Sequence, residues 1–148
     1  MAAKVLIVDD HPAVREGLAV RIASQSDLEV CGEAADTSEA MQLIEAVRPD
    51  VVVVDIQLKT GNGLELIERI QAHDKSIRIL VWSMYPDALY AQRVLSAGAL
   101  GYINKETTTG RLVEAIRRVR DGKIYLGEQA AEQLLNQLVD GAKSRKTW

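Results

Sequence analysis

The sequence predicts an α/β domain: a doubly wound five-stranded parallel sheet with an additional C-terminal helix. Three observations carry this expectation. Val51 to Val54 are consecutive valines bounded by Pro49 and a glycine-containing loop, and an unbroken β-branched run reads as a strand buried on both faces. Strand-like and helix-like patterns alternate along the chain, as in βαβ units joined by right-handed crossovers. Acids, a hydroxyl and a lysine fall at the expected carboxyl ends of strands, the edge where open α/β sheets form ligand crevices.

Taken in order, Lys4–Asp9 is an apolar run and the first expected strand. Asp10-His11-Pro12 opens a helix, since proline suits the first turn and a preceding acid can cap free amides. Val14, Leu18 and Ile22 mark its buried face. Leu28–Ala34 is the second strand, and Glu29 and Glu33 suggest a sheet edge. Asp36 or Thr37 caps the second helix, with Ala40, Ile44 and Val47 inward and Pro49 as its stop. The third strand is Asp50–Asp55, followed by a loop with Gly61 and Gly63 as punctuation. Leu64, Ile67 and Ile70 define the third helix, and Ile77–Ser83 the fourth strand. A fourth helix opens at Met84-Tyr85-Pro86-Asp87, turns Leu89 or Tyr90, Val94 and Ala97 inward, and closes at Gly98. Ala99–Asn104 is the fifth strand, and a helix from Thr107–Thr109 buries Leu112, Ile116 and Val119. The most hydrophobic strands are the first, third and fourth, which places them centrally in the flavodoxin-like order 2-1-3-4-5. Beyond Gly122, Ile124-Tyr125-Leu126-Gly127 reads as a short connector. A sixth helix then carries Ala131, Leu134 or Leu135, and Leu138, and ends at Gly141 before a basic tail. The expected division is residues 1–122 as the main domain and 123–148 as a linker helix and tail.

Composition narrows the function. The chain has 148 residues, 47% hydrophobic and 26% charged, which suits one ordinary globular domain. A net charge of −3 gives no nucleic-acid signature of its own. The single cysteine, Cys31, excludes an internal disulfide, suits a cytoplasmic setting and reads as a small core residue. No apolar run approaches the roughly 20 residues of a membrane span, and Met1–Lys4 is too short for a leader before structure begins. Phe is absent, so the core is aliphatic.

In the expected sheet, Asp9-Asp10, Asp55, Ser83 and Lys105 converge on one edge. Clustered carboxylates repel and call for a cation. Mg²⁺ suits such a site because it takes one or two carboxylates, keeps several waters and accepts a phosphate oxygen. With the ion bound, Asp55 can attack phosphorus, and Lys105, Ser83 and backbone amides after Asp55 can hold the three oxygens of the product. Taken singly, each residue has a plainer reading: Asp9-Asp10 as helix caps, Ser83 as a turn former, Lys105 as a solvated lysine, His11 as a first-turn surface residue. The joint placement is what points to chemistry.

These residues, together with Gly63 eight positions after Asp55 and the segment Gly101-Tyr102-Ile103-Asn104-Lys105, resemble the bacterial response-regulator receiver domain over residues 4–122. Ser96–Tyr102 and Leu112–Ile116 resemble its NarL/FixJ-type branch, where a LuxR-type DNA-binding output domain usually follows. The resemblance implies that Asp55 is phosphorylated by a sensor histidine kinase. It implies direct Mg²⁺ ligation by Asp10, Asp55 and the backbone carbonyl of Gln57, with Asp9 acting through water. Ser83 and Lys105 would contact the phosphoryl group, and Ser83 and Tyr102 would form the switch. A phosphoacceptor of this kind is not a multiple-turnover enzyme. Departures are Lys59 where the family often has proline, and Glu106 after Lys105; Gln57 and Tyr85 flank the phosphoryl entrance.

Residues 123–148 are too few for a helix-turn-helix domain, so DNA would be reached only through an output domain absent from this chain. Two explanations stay open: a receiver cut at its linker, favoured by the likeness of Ile124–Leu135 to such a linker, or a stand-alone receiver acting by protein–protein interaction. The sixth helix either packs on its own domain or forms a homodimer contact. Two other classes fit poorly. An aspartyl phosphatase of the haloacid-dehalogenase kind spaces its acids two apart after the first strand, whereas Asp9 and Asp10 are adjacent. A flavodoxin-like or dinucleotide-binding module needs a phosphate-accepting loop there, and Asp9-Asp10-His11-Pro12 is acidic and free of glycine.

Overall fold

The computed structural model describes residues 2–58, 62–83, 88–104 and 109–145. The elements are β1 (Ala3–Val8), α1 (Pro12–Ala23), β2 (Leu28–Ala34), α2 (Thr37–Val47), β3 (Val51–Asp55), α3 (Gly63–His73), β4 (Arg78–Ser83), α4 (Ala88–Ala97), β5 (Gly101–Asn104), α5 (Thr109–Arg120), β6 (Tyr125–Leu126) and α6 (Glu128–Arg145). The strands form one sheet in the order β2-β1-β3-β4-β5-β6, with every pair parallel. The expected order of the first five holds. The connector at Tyr125-Leu126 is a sixth strand, paired with Gly101 and Tyr102 of β5. Two residues are too few for a periodic signal, so only the neighbouring strand reveals them.

Alternation along β3 explains the valine run. Val52 and Val54 join Leu6, Val8, Ile79 and Val81 on the face covered by α2, α3 and α4. Val51 and Val53 join Val5, Ile7, Leu80 and Trp82 on the face covered by α1 and α5. Successive side chains of a strand point to opposite faces, so a strand sandwiched between helices must be apolar on both. Helix starts follow local chemistry. Asp36 Oδ1 accepts from the Glu39 amide at 2.8 Å and caps α2, and Asn62 Oδ1 accepts from the Leu64 amide at 2.9 Å at the head of α3. Pro12 occupies the first turn of α1, as expected, but the capping residue is His11 and no side chain caps this helix.

Several inward assignments shift. In α3 the buried side chains are Leu66, Ile67 and Ile70, while Leu64 is partly buried at the rim of the core. Cys31 is half-buried rather than a core residue. It is the extra residue where the β1–β2 register slips between Val5 and Leu6, on an edge strand, and burial pushes its thiol pKa up. Helix α6 runs through Gly141 to Arg145. It meets the core through Ala130 and Leu134, whereas Leu135, Leu138 and Val139 face outward. The opening of the fourth helix at Met84–Asp87, Lys59, and the start of the fifth helix at Thr107 lie outside the described residues.

A charged tie closes the α1–α5 side. Asp27 accepts from Arg117 Nε at 2.9 Å and Nη2 at 3.0 Å, and from Arg120 Nη1 at 2.9 Å. The Arg117 hydrogen bonds hold the Asp27 carboxyl well below the usual carboxylate range, and Arg120 adds to the effect. A depressed folded pKa stabilises the native state above the unfolded value and loses that stabilisation as pH falls toward the folded value. The Asp27 side chain is 38% exposed, so solvent screens the pair. Asp27→Asn is therefore expected to cost about 1 kcal/mol at pH 7. Urea titrations should show the gap shrinking below about pH 4, where unfolded Asp takes up a proton. A gap of equal size at pH 3 would show that the charge is not its source.

Candidate functional site

The parallel register lines up the strand ends. Val8 pairs with Val54, Asp55 with Trp82, and Ser83 with Asn104, so the residues that leave β1, β3 and β4 share one edge. Asp9 is 1% exposed, Asp55 2% and Ser83 0%, and these three are the buried polar or charged residues among those described. Burying a carboxylate is costly without partners, so in a core that is otherwise apolar this edge stands out as a place where stability yields to chemistry.

Several partners are local. Asp55 Oδ1 accepts from the Gln57 amide at 2.9 Å, which folds the chain back over the acid as it leaves β3. Asp9 Oδ1 accepts from the His11 amide at 2.8 Å, and the Asp9 backbone oxygen accepts from Arg15 Nη1 at 2.6 Å. Gly63 N–H donates to the Ile56 oxygen at 3.3 Å, so the head of α3 rests on the residue that follows Asp55. Ser83 ends β4 beside these acids, and Trp82 pairs with Asp55 in the ladder. Tyr102 is buried in the core on the α2–α4 side, an inward placement for the expected switch residue. Lys105 lies outside the described residues.

His11 is exposed at the start of α1, as expected of a surface residue there, and its ring also meets the acids. Its ring Nδ1 lies 2.9 Å from Asp9 Oδ1, 3.0 Å from Asp10 Oδ1 and 4.0 Å from Asp55 Oδ2. Potential ligand atoms of Asp9, Asp10, His11 and Asp55 all fall within 4.8 Å of one another. An oxygen-rich donor set of this size fits a hard divalent cation. A helix-opening histidine carries no distinguishing pattern in sequence; its position next to the acid pair was the only signal.

An open doubly wound sheet with a buried acidic crevice at its carboxyl edge, and no glycine-rich loop after β1, defines an acid-centred α/β domain. The chain belongs to the response regulator receiver domain family, which matches residues 5–117. It is 35% identical over 142 residues to the DNA-binding transcriptional activator DevR/DosR of Mycobacterium tuberculosis, covering 96% of this chain and 65% of that protein. Among solved structures it resembles a LuxR-family two-component response regulator from Aurantimonas sp. SI85-9A1, with TM-score 0.89 and 34% identity, covering 94% of this chain and 99% of that one. It also resembles the isolated receiver domain of RcsB from Salmonella enterica serovar Typhimurium with the phosphomimetic BeF3−, at TM-score 0.82 and 26% identity, covering 90% and 99%. The chain is thus a receiver homologous to two-component response regulators that regulate transcription, in which phosphorylation by a kinase is general. It spans just under two thirds of the curated relative's length. Among the described residues, no helix is long and apolar enough to cross a membrane.

Proposed function

We propose that Asp55 accepts a phosphoryl group from a sensor histidine kinase and that the resulting charge switches an output. The observation that carries this reading is the burial of Asp9, Asp55 and Ser83 together at one strand edge. A carboxylate oxygen of Asp55 attacks phosphorus, a P–O bond forms, and the bond from phosphorus to the donor nitrogen breaks with its electron pair. Asp10, Asp55 and the backbone carbonyl of Gln57 would hold Mg²⁺, with Asp9 acting through water, and the ion would neutralise charge on the transferring group. The Gln57 amide donates to one Asp55 oxygen and so orients the carboxylate. Ser83 is assigned to one phosphoryl oxygen and Lys105 to another.

The switch is assigned to Ser83 and Tyr102, through a local charge change that biases the α4–β5–α5 face. Residues 1–122 are assigned to the receiver and 123–148 to a linker helix and tail. A cytoplasmic setting and slow loss of the phosphoryl group by hydrolysis accord with this role, and no multiple-turnover substrate is assigned. DNA contact is assigned to an output domain outside residues 1–148, and the relative's description as a DNA-binding activator supports that. The outward Leu135, Leu138 and Val139 of α6 support a homodimer contact.

Incubation with Mg²⁺ and acetyl phosphate tests the central claim. Intact mass should rise by about 80 Da, one phosphoryl group. The adduct should survive acid and be lost to hydroxylamine, as an acyl phosphate is. Trp82, the ladder partner of Asp55, should report Mg²⁺ binding by fluorescence. Protein that binds Mg²⁺ yet gains no mass would refute the phosphoacceptor assignment.

A further inference from the structure

Arg15 holds the peptide that joins the two adjacent acids. It lies in the first turn of α1, where its amide donates to the His11 oxygen at 3.0 Å. Helical side chains lean toward the helix N-terminus, so from this position the guanidinium returns to the end of β1. Its Nη1 donates to the Asp9 backbone oxygen at 2.6 Å, and its Nε lies 3.6 Å from Glu33 Oε1, near the end of β2. The Asp9 amide donates to the Ala34 oxygen at 3.0 Å. Asp9 is thus held at both main-chain polar groups, by β2 at its N–H and by Arg15 at its oxygen. A peptide group is planar and rigid, so holding that oxygen also sets the direction in which the chain enters Asp10. Asp9 is 1% exposed, so Arg15 serves this carbonyl where bulk water has little access.

We propose that Arg15 is a positioning residue for the Mg²⁺ site: its hydrogen bond to the Asp9 oxygen sets the peptide between Asp9 and Asp10, and with it the placement of the acids that receive the ion. The inference rests on the crevice being that metal site but not on phosphoryl transfer. Two effects of the side chain oppose each other. As a nearby cation the guanidinium repels incoming Mg²⁺, so on charge alone its removal would strengthen binding. As a support it holds the acids in place for an ion that demands near-ideal octahedral geometry, and partners that orient metal ligands commonly contribute about tenfold or more to affinity. The direction of the change on removing Arg15 therefore separates the two roles. The ion pair with Glu33 is a lesser support, because its side chains are 20% and 38% exposed and solvent screens it.

Calorimetric titration of the whole 148-residue chain with Mg²⁺ tests it. Arg15→Met keeps an unbranched apolar stem and should weaken Mg²⁺ binding by about tenfold. Arg15→Lys, which restores a donor and the charge, should recover most of that loss. Glu33→Gln should stay within about twofold of wild type. In metal-free buffer the NMR resonance of the Asp9 carbonyl carbon should move upfield in Arg15→Met and return toward its wild-type position in Arg15→Lys, a shift that a general loss of stability does not produce. An Mg²⁺ affinity in Arg15→Met equal to wild type overturns the proposal, as does a higher one, which would make Arg15 a repelling charge instead of a support. An equal loss in Glu33→Gln also overturns it, by tracing the effect to the tie between α1 and β2. Wild-type protein that binds no Mg²⁺ overturns the metal site and this inference with it. Weakened Mg²⁺ binding in Arg15→Met alongside a failed acetyl phosphate reaction of the wild type would support Arg15 and refute only the phosphoacceptor.

Discussion

Asp55→Asn is expected to abolish phosphoryl incorporation, by at least about a hundredfold in the intact-mass assay, while the fold stays intact. The carboxamide has the shape of the carboxylate and keeps an oxygen that can accept from the Gln57 amide, now 2.9 Å from Asp55 Oδ1. What it loses is the anionic nucleophile. Stability should respond in the opposite direction. Asp55 is 2% exposed and shares its edge with two other acids, so removing one charge relieves a repulsion worth on the order of 1 kcal/mol. In metal-free buffer the variant should therefore melt at or above the wild-type temperature. Added Mg²⁺ should reverse the ranking, because an ion at ten times its dissociation constant stabilises the native wild type by about 1.4 kcal/mol and binds the variant less well. Chemical denaturation with EDTA and with Mg²⁺ reads both halves. A variant that unfolds in either buffer would show that the carboxylate holds the strand end together. Retained incorporation would move the acceptor to another residue.

The contrast between these two effects explains why the acids were legible in the sequence and His11 was not. In a parallel sheet every carboxyl end faces one way, so the residue after each apolar run is placed by topology alone. Val8, Val54 and Trp82 end their runs, and Asp9, Asp55 and Ser83 follow from that. The same logic located the edge strand from Glu29 and Glu33, and the α2 cap from Asp36. His11 belongs to a turn, where ring direction depends on the backbone dihedrals of one residue, and no periodicity encodes those. β6 was missed because its pairing is wholly non-local: Tyr125 N–H donates to the Leu100 oxygen, and neither residue signals the other. α6 extended past Gly141 because a glycine within an otherwise helix-forming segment costs only about 1 kcal/mol, too little to end it. Its stripe was half right: Leu134 packs on the core, Leu135 lies a step round the helix and faces outward, and Leu138, one turn on from Leu134, is exposed. Helical periodicity identifies an apolar face but not how much of that face a neighbour covers.

Gly63→Ala is expected to be among the most damaging single-methyl changes in the chain, costing about 3 kcal/mol or more. A Cβ at Gly63 would lie 2.6 Å from Ile56 Cα, 2.8 Å from its carbonyl oxygen and 2.9 Å from its carbonyl carbon. All three are backbone atoms, so no rotamer change relieves the overlap, and either α3 or the β3–α3 turn must move. Ile56 is itself buried in the core with Leu58 and Leu66, which leaves the turn little room to retreat. The displacement would act on the two residues beside Ile56: Asp55, and Gln57, whose amide holds the Asp55 carboxylate. Molecules that remain folded should therefore take up phosphoryl from acetyl phosphate more slowly, by about tenfold or more, because a small misplacement of a nucleophile is costly. Gly17→Ala provides the counterweight. Gly17 lies within α1 with nothing inside 4 Å of an added Cβ, so the same substitution should stabilise by about 0.5–1 kcal/mol. Urea midpoints for the two variants should thus move in opposite directions. If Gly63→Ala were as stable as wild type, the close approach of α3 to Ile56 could not be what sets the Asp55 turn. If it lost stability yet reacted at the normal rate, the turn would be shown to position the helix and not the acid.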